Sequence, residues 1–403
     1  VMEKAVENFI RPGYHRFRDQ SATLEADMHA LCAGPSAEAL DKGEFELHYQ
    51  PKVDMKSGRV LGVEGLIRWR DPERGLLAPD SFLPMVANHD LGARIGEWVI
   101  DTAATQIEAW RQAGQPLPIS VNVDGWHLGQ PDFVERLTAC LARHPGVEPG
   151  DLALEVLESS ALEDMARISR VIEDCGRIGV DFALDDFGVG YSTLIFLKRL
   201  PAKVLKIDRG FVHDMLDDPG DLAILEGVLG LANAFSRETI AEGVERVEQG
   251  LLLLSLGCRQ AQGYAIARPM PAAEIPAWAA TWRPDPAWTQ RTQVVPEALP
   301  TLFAIVEFRA WIEKLKTWVD GRSAEQPILD PRQCPFGKWL AERGFERYLS
   351  QPEIQDIVAL HDRIHEAAHQ LAEQGRHRDP ATLQGQVAAI EQLGETMTGL
   401  LDQ

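Results

Sequence analysis

The feature that most constrains this chain is an alternation that recurs eight times. A short β-prone apolar run ends in polar or acidic residues, and in most cases a longer amphipathic stretch follows. The candidate strands are FELHYQPK (45–52), VLGVEGLIRW (60–69), PISVNV (118–123), DLALEVLE (151–158), VDFALDD (180–186), AKVLKID (202–208), RETIAEGVE (237–245) and QAQGYAI (260–266). Helical patterns fill most of the gaps, at 91–113, 131–144, 162–178, 220–235 and 246–256. Eight such units over roughly 240 residues predict an α/β chain built as a (β/α)8 TIM-type barrel, with a doubly wound open sheet as the structural competitor. The connection between residues 52 and 60 is a short turn containing Ser57-Gly58. A turn that short joins only antiparallel strands, so one strand is expected to run against the other seven.

The remaining chain divides around this unit. Residues 1–40 read as a helical lead-in, 41–283 as the barrel, 284–300 as a linker and 301–403 as an all-α helical bundle. The linker reading rests on WRPDPAWTQRTQVVPEALP, whose prolines leave no clear periodicity. In the bundle, 301–320, 353–374 and 381–402 carry helical patterns.

Composition limits the partners. The 403 residues carry a formal net charge of −21, which disfavours polymeric nucleic acid. A phosphate-bearing substrate would need local positive charge, which cations held by clustered carboxylates supply. Five scattered cysteines, Cys32, Cys140, Cys175, Cys258 and Cys334, form no disulfide framework and point to reduced thiols in the cytoplasm. No apolar run is long enough to cross a membrane, and LLLLSLGC is too short to do so. The opening Val1-Met2 reads as the cut end of a longer chain.

The polar residues gather at the C-terminal ends of the candidate strands, which in a barrel converge on one face. Glu64 lies in the second strand, Asn122 ends the third and Glu155 lies in the fourth. Asp185 and Asp186 end the fifth, Lys206 and Asp208 the sixth, Glu242 the seventh, and Gln262 belongs to the eighth. Each acid alone also reads as a solvated strand end or a helix cap. Their joint recurrence at successive strand ends points instead to Mg²⁺ or Mn²⁺, because carboxylates so close repel unless cations intervene. Adjacent acids can bridge a metal pair about 3.5–4 Å apart, an arrangement suited to phosphodiester hydrolysis.

The blocks YQPKVD (49–54), EGLIRW (64–69), SVNVDGWHL (120–128), LEVLES (154–159), DDFGVGYSTL (185–194), LKIDRGFV (205–212), AEGVE (241–245) and QGYAIARPMP (262–271) resemble, in order and spacing, the signature blocks of EAL-domain cyclic-di-GMP phosphodiesterases. The resemblance covers roughly residues 40–280. It implies that Glu64, Asn122, Glu155 and Asp185 hold a first metal, and that Asp185 and Asp186 hold a second with Glu242 in support. It implies that Lys206 holds or deprotonates the attacking water and that Gln262 orients Glu242 or a water. Arg68 would pair with a substrate phosphate and Gln50 with a guanine edge; Asp208 would also face substrate, and Glu158 would anchor the DDFG loop. The expected reaction is in-line attack by water on one phosphodiester, giving linear pGpG. A homodimer is expected.

Several positions depart from the family pattern. Gly65 stands where EAL has its alanine, Leu157 replaces a threonine, and Val189 replaces a small or hydroxyl residue. Arg259 replaces an acid and Asn88 lies in a divergent run, yet none of these removes a metal ligand.

The two ends carry weaker resemblances. VMEKAVENFIRPGYHRF resembles the trailing segment of a GGDEF domain, and reads equally as an amphipathic lead-in helix. CPFGKWL (334–340) followed by HDRIHEAAH resembles the chemoreceptor zinc-binding domain, a helical bundle with three His and one Cys. His361, His365 and His369 share one helix face, and Cys334, His361 and His365 form a partial zinc set. Trp311 is present, but Phe308 stands where that family has its first His. A fourth ligand would then be His369, Glu307 or water. The plainer alternative is histidines on a helix face with Cys334 as a small buried hydrophobe.

Three functions compete: a phosphodiesterase whose helical bundle acts as a sensor, a non-catalytic cyclic-di-GMP receptor using the same pocket, and an enolase-like barrel with Lys206 as carbon-acid base. The complete ligand set favours the first.

Overall fold

The computed structural model describes residues 35–86, 89–189, 194–290, 299–323, 325–341, 352–374 and 380–401. The lead-in over 1–34, with its GGDEF-like segment and Cys32, lies outside the described residues, as does Asn88.

Ten strands form one sheet: β1 (Phe45–Asp54), β2 (Val60–Asp71), β3 (Gly75–Leu77), β4 (Ile119–Asn122), β5 (Leu152–Leu157), β6 (Asp181–Phe187), β7 (Val204–Ile207), β8 (Glu238–Ala241), β9 (Gln260–Ala261) and β10 (Met270–Pro271). The order is β10-β1-β9-β8-β7-β6-β5-β4-β2-β3, and pairing of β1 with β2 closes eight of them into a barrel. β1 is the strand that runs backwards. It pairs antiparallel with β2, Phe45 opposite Trp69, and with β9, Val53 opposite Ala261. The tight turn that forces this carries Gly58 at φ +71°, and the Gly58 amide donates to the Asp54 carbonyl at 2.9 Å. β2, β4, β5 and β6 then run parallel. β3 and β10 are short additions at the rim that the sequence pattern does not show, and β9 is two residues rather than the expected seven.

Helices cover the barrel. The longest near it, Asp90–Gln112, buries Leu91, Ile95, Val99, Ala103, Ile107 and Trp110, at steps of three and four residues that keep one face apolar. Trp110 meets the buried Tyr49 ring of β1 edge-on at 5.1 Å, and burial pushes the Tyr49 hydroxyl pKa up.

The expected linker holds structure. Pro286–Gln290 is helical: Pro286 takes the first turn, and Asp285 Oδ1 accepts from the Ala287 amide at 2.8 Å. Trp288 is 1% exposed, and its Nε1 donates to the Val247 carbonyl at 2.9 Å. Its indole lies 2.4 Å from where a Cβ on Gly250 would stand, so only glycine fits there.

Farther along lie the helices Leu299–Val319, Pro335–Trp339, Pro352–Gln374 and Pro380–Leu401. Their core includes Phe308, Trp311, Leu315, Ile364, Ala368 and Met397. No helix among the described residues is long and apolar enough to cross a membrane. Cys140, Cys175, Cys258 and Cys334 are buried and form no disulfide among the described residues.

Candidate active site

Parallel strands in register deliver their C-terminal ends to one face. Glu64 of β2 stands opposite Ser120 of β4, and Asn122 opposite Glu155 of β5. On the next pair, Leu157 stands opposite Asp185 of β6. Glu64, Glu155 and Asp185 are all buried, with carboxylate oxygens that lie within 4.8 Å of one another.

Lys206 lies among them at 1% exposure. Its Nζ bonds Glu155 Oε2, and lies 3.0 Å from Asp185 Oδ1 and 3.3 Å from Glu64 Oε2. Lys52 adds a second ammonium, 2.5 Å from Ser120 Oγ and 3.3 Å from Glu155 Oε1. The amides complete the group: Asn122 Nδ2 donates to Glu64 Oε1 at 2.7 Å, and Gln262 Nε2 to Glu64 Oε2 at 2.6 Å and Gln50 Oε1 at 2.9 Å. Gln50 is itself held by the Ala267 carbonyl at 2.9 Å.

Three carboxylates face two ammonium groups, and the electrostatics follow from that imbalance. Burial, then the charge of Glu155, raises the Glu64 pKa. Burial raises Asp185 too, although Lys206 opposes it. Burial also pushes Glu155 upward, but Lys206 and Lys52 outweigh it and hold its pKa at about 2. The residues fit a divalent cation: a dense set of oxygen donors short of positive charge, and a buried Gln262 Oε1 that accepts no hydrogen bond.

Asp185 and Asp186 follow one another near the end of β6. Asp186 sits at φ +51°, a costly conformation for a non-glycine residue. The loop that follows is tied back by Glu158, 2% exposed, whose Oε2 accepts from the Gly188 amide at 2.9 Å. Leu157 and Val189 are exposed, at 42% and 61%. A cleft of about 500 Å³ opens beside this rim, lined by Leu66, Pro79, Leu83, Asn122, Leu157 and Asp186. Gly65 is tightly seated, since a Cβ there would stand 3.1 Å from Val121 Cγ1; an alanine needs only a small shift.

Two further assigned residues make other contacts. Arg68 is half-buried, and its Nη1 donates to the Ile67 carbonyl at 2.9 Å; burial lowers its pKa, opposed by Tyr264, Glu64 and Asp80. Asp208 caps the helix Arg209–Asp214, with Oδ1 accepting from the Gly210 amide at 2.9 Å. Lys52 and Ser120 belong to the cluster without having been singled out from sequence. Lys52 follows Gln50 by two residues in β1, so alternation places it on the same face.

The C-terminal helices hold another group. Cys334 Sγ lies 3.2 Å from His361 Nε2 and accepts from the Gly337 amide at 3.1 Å. His365 Nδ1 bonds the Leu329 carbonyl at 2.7 Å, leaving Nε2 buried without a partner. All three residues are buried with ligand atoms within 4.8 Å of one another. Burial and the neighbouring His365 lower the His361 pKa to about 3, which keeps the ring neutral. This donor set fits zinc. Phe308 stacks on Trp311 at 5.9 Å and lies 6.3 Å from the His361 ring, so an apolar ring stands beside the ligand set. His369 is exposed and outside the group.

Fold and site together define a (β/α)8 barrel in which carboxylates from separate strands gather beside a buried lysine. The EAL domain family model matches residues 36–269, and the chain belongs to that family. The chemoreceptor zinc-binding domain model matches residues 309–372. Over 266 residues the chain is 41% identical to the bifunctional diguanylate cyclase/cyclic di-GMP phosphodiesterase MucR of Pseudomonas aeruginosa, covering 66% of this chain and 38% of MucR. It is 34% identical to the cyclic di-GMP phosphodiesterase PA2567 of the same organism, covering 58% of this chain and 40% of that protein. The chain thus spans well under half the length of these curated relatives. Among solved structures, the PaMucR phosphodiesterase in complex with c-di-GMP superposes with a TM-score of 0.58 at 39% identity, over 62% of this chain and 99% of that one. The EAL enzyme Bd1971, in its cAMP and cyclic-di-GMP bound form, gives 0.58 at 29% identity, over 68% of this chain and 73% of that one.

Proposed function

We propose that the chain hydrolyses cyclic di-GMP to linear pGpG on a barrel spanning 41–283, under the influence of a helical sensor domain over 301–403. The observation that carries this reading is the convergence of Glu64, Glu155 and Asp185 on Lys206, in a family whose relatives include named cyclic di-GMP phosphodiesterases. Glu64, Asn122, Glu155 and Asp185 would hold one divalent cation, and Asp185, Asp186 and Glu242 a second. When bound, the cations supply Lewis acidity and neutralise charge that develops on the phosphoryl oxygens.

The chain's own groups do the rest. Lys206, fixed by three carboxylates, holds the attacking water and can relay its proton. Gln262 and Gln50 form a rigid pair that keeps Glu64 in place and lends a guanine edge its partner. Arg68, on the strand of Glu64, pairs with the substrate phosphate. The adjoining cleft gives a base an apolar wall. In the sensor domain, Cys334, His361 and His365 would take zinc, with Glu307 or water as the fourth ligand because His369 faces solvent.

Incubation of the full chain with cyclic di-GMP and manganese, followed by nucleotide chromatography, tests the reading. pGpG is the expected product. Tight binding with the cyclic nucleotide left intact would make the protein a receptor.

A further inference from the structure

On the outer face of the barrel, away from the strand ends, a second kind of donor set is assembled from two helices. Asp101 and Glu108 lie on Asp90–Gln112, seven residues apart and so on one face. Cys140 lies on Phe133–Arg143, and His144 caps that helix four residues later. Cys140 Sγ is 3.5 Å from Asp101 Oδ1, and His144 Nε2 is 3.2 Å from the same oxygen. The ligand atoms of all three lie within 4.8 Å of one another.

We propose that Asp101, Cys140 and His144 form a binding site for zinc or a similar thiophilic divalent cation, with water as the fourth ligand. A tetrahedral zinc, with Zn–S of about 2.3 Å and Zn–N and Zn–O of about 2.0–2.1 Å, separates its ligand atoms by about 3.3–3.5 Å. The two separations observed at Asp101 Oδ1 match those edges.

The surroundings support the same assignment. His144 Nδ1 is bonded to Glu108 Oε2 at 3.1 Å, and Glu108 Oε1 is anchored by the Gly146 amide at 2.8 Å. A carboxylate on the far nitrogen fixes the tautomer, turns Nε2 to the ligand and strengthens the ring as a donor. Without a cation the thiol stays protonated: burial, then the Asp101 carboxylate, pushes the Cys140 pKa up to about 11. Binding therefore exchanges the Cys140 proton, released to solvent, for a sulfur–metal bond. Arg143 Nη2 holds Asp101 Oδ1 at 2.5 Å, but its side chain is 59% exposed and can turn to the other oxygen. The two helices flank β4 in sequence, the strand that carries Asn122, so a cation here would tie together the elements on either side of that strand.

Cobalt(II) titration of the full chain carrying Cys334→Ser tests this, because only a thiolate ligand gives a near-ultraviolet sulfur-to-cobalt charge-transfer band. One equivalent of the band is expected, bleached by added zinc and abolished by a further Cys140→Ser. His144→Ala, at a helix end, should also abolish it, and Glu108→Gln should weaken cobalt binding about tenfold. Zinc should raise the melting temperature of the Cys334→Ser chain by more than that of the chain carrying both Cys334→Ser and Cys140→Ser, because the barrel carboxylates are common to the two. Absence of the band in the Cys334→Ser chain would overturn the assignment, as would a band that survives both Cys140→Ser and His144→Ala.

Discussion

Lys206 Nζ lies 3.0 Å from Asp185 Oδ1, and both groups are buried at the mouth of the barrel. The pair joins the end of β7 to the end of β6, and the same ammonium reaches Glu64 on β2 and Glu155 on β5. One lysine thereby balances acids from three strands. Removing it leaves Lys52 beside Glu155 but takes the ammonium from Glu64 and Asp185, and losing one partner of a buried pair costs about 3–5 kcal/mol. Lys206→Met should therefore lower the melting temperature sharply in chelator, and manganese should restore much of the loss. Turnover should stay about 10²–10⁴-fold down even with metal, the span expected for a lost proton-transfer group. Calorimetry with and without manganese, beside steady-state kinetics, checks both parts.

Glu158 holds the loop after Asp186 through the Gly188 amide. Glu158→Ala removes the acceptor and frees the segment that follows the strained Asp186. Its turnover should fall by about 10–100-fold, the scale of losses when a residue that orients metal ligands is removed. Hydrogen exchange should show faster exchange at Gly188, while strands distant from the loop keep their protection.

Gly250 and Trp288 are packed so closely that an added methyl has no room. Gly250→Ala should destabilise by about 1–3 kcal/mol through overpacking. Trp288→Ala should cost about 3–5 kcal/mol. Displacement of the indole in Gly250→Ala should shift tryptophan emission to the red, an effect absent if Gly250→Ala also carries Trp288→Phe.

His127 is 2% exposed, and its Nδ1 has no hydrogen-bond partner. Burial lowers its pKa in the folded chain. The unfolded chain therefore binds a proton as pH falls below about 6.5, while the folded chain resists it, so stability declines on the acid side. The slope has a ceiling of about 1.4 kcal/mol per pH unit from this residue. Urea midpoints at pH 7.5 and 5.5 should drop in the parent chain, and drop less in His127→Gln.

Much of the fold is legible in the sequence because parallel strands buried on both faces leave unbroken apolar runs, such as those around Leu154 and Phe182. The reversal of β1 is legible from Ser57-Gly58, where only a tight turn fits. The site residues are legible where an acid or amide follows an apolar run, as at Asn122 and Asp185. Lys52 is less so, because its role depends on β5, whose Glu155 it meets about a hundred positions later. The helix at Pro286 is masked by the surrounding prolines, although Asp285-Pro286 is itself a helix-start signal. Asp208 carries a contact that its place at a strand end does not show: its Oδ1 caps the helix that follows.

Manganese titration followed by electron paramagnetic resonance tests most directly whether acids from separate strands grip a cation pair. With Cys334→Ser and Cys140→Ser removing the thiolate sites, the free-ion signal should stay suppressed until two manganese ions per chain are taken up. The bound pair should show spin coupling that Asp185→Asn abolishes. A free-ion signal that grows from the first addition would contradict the account.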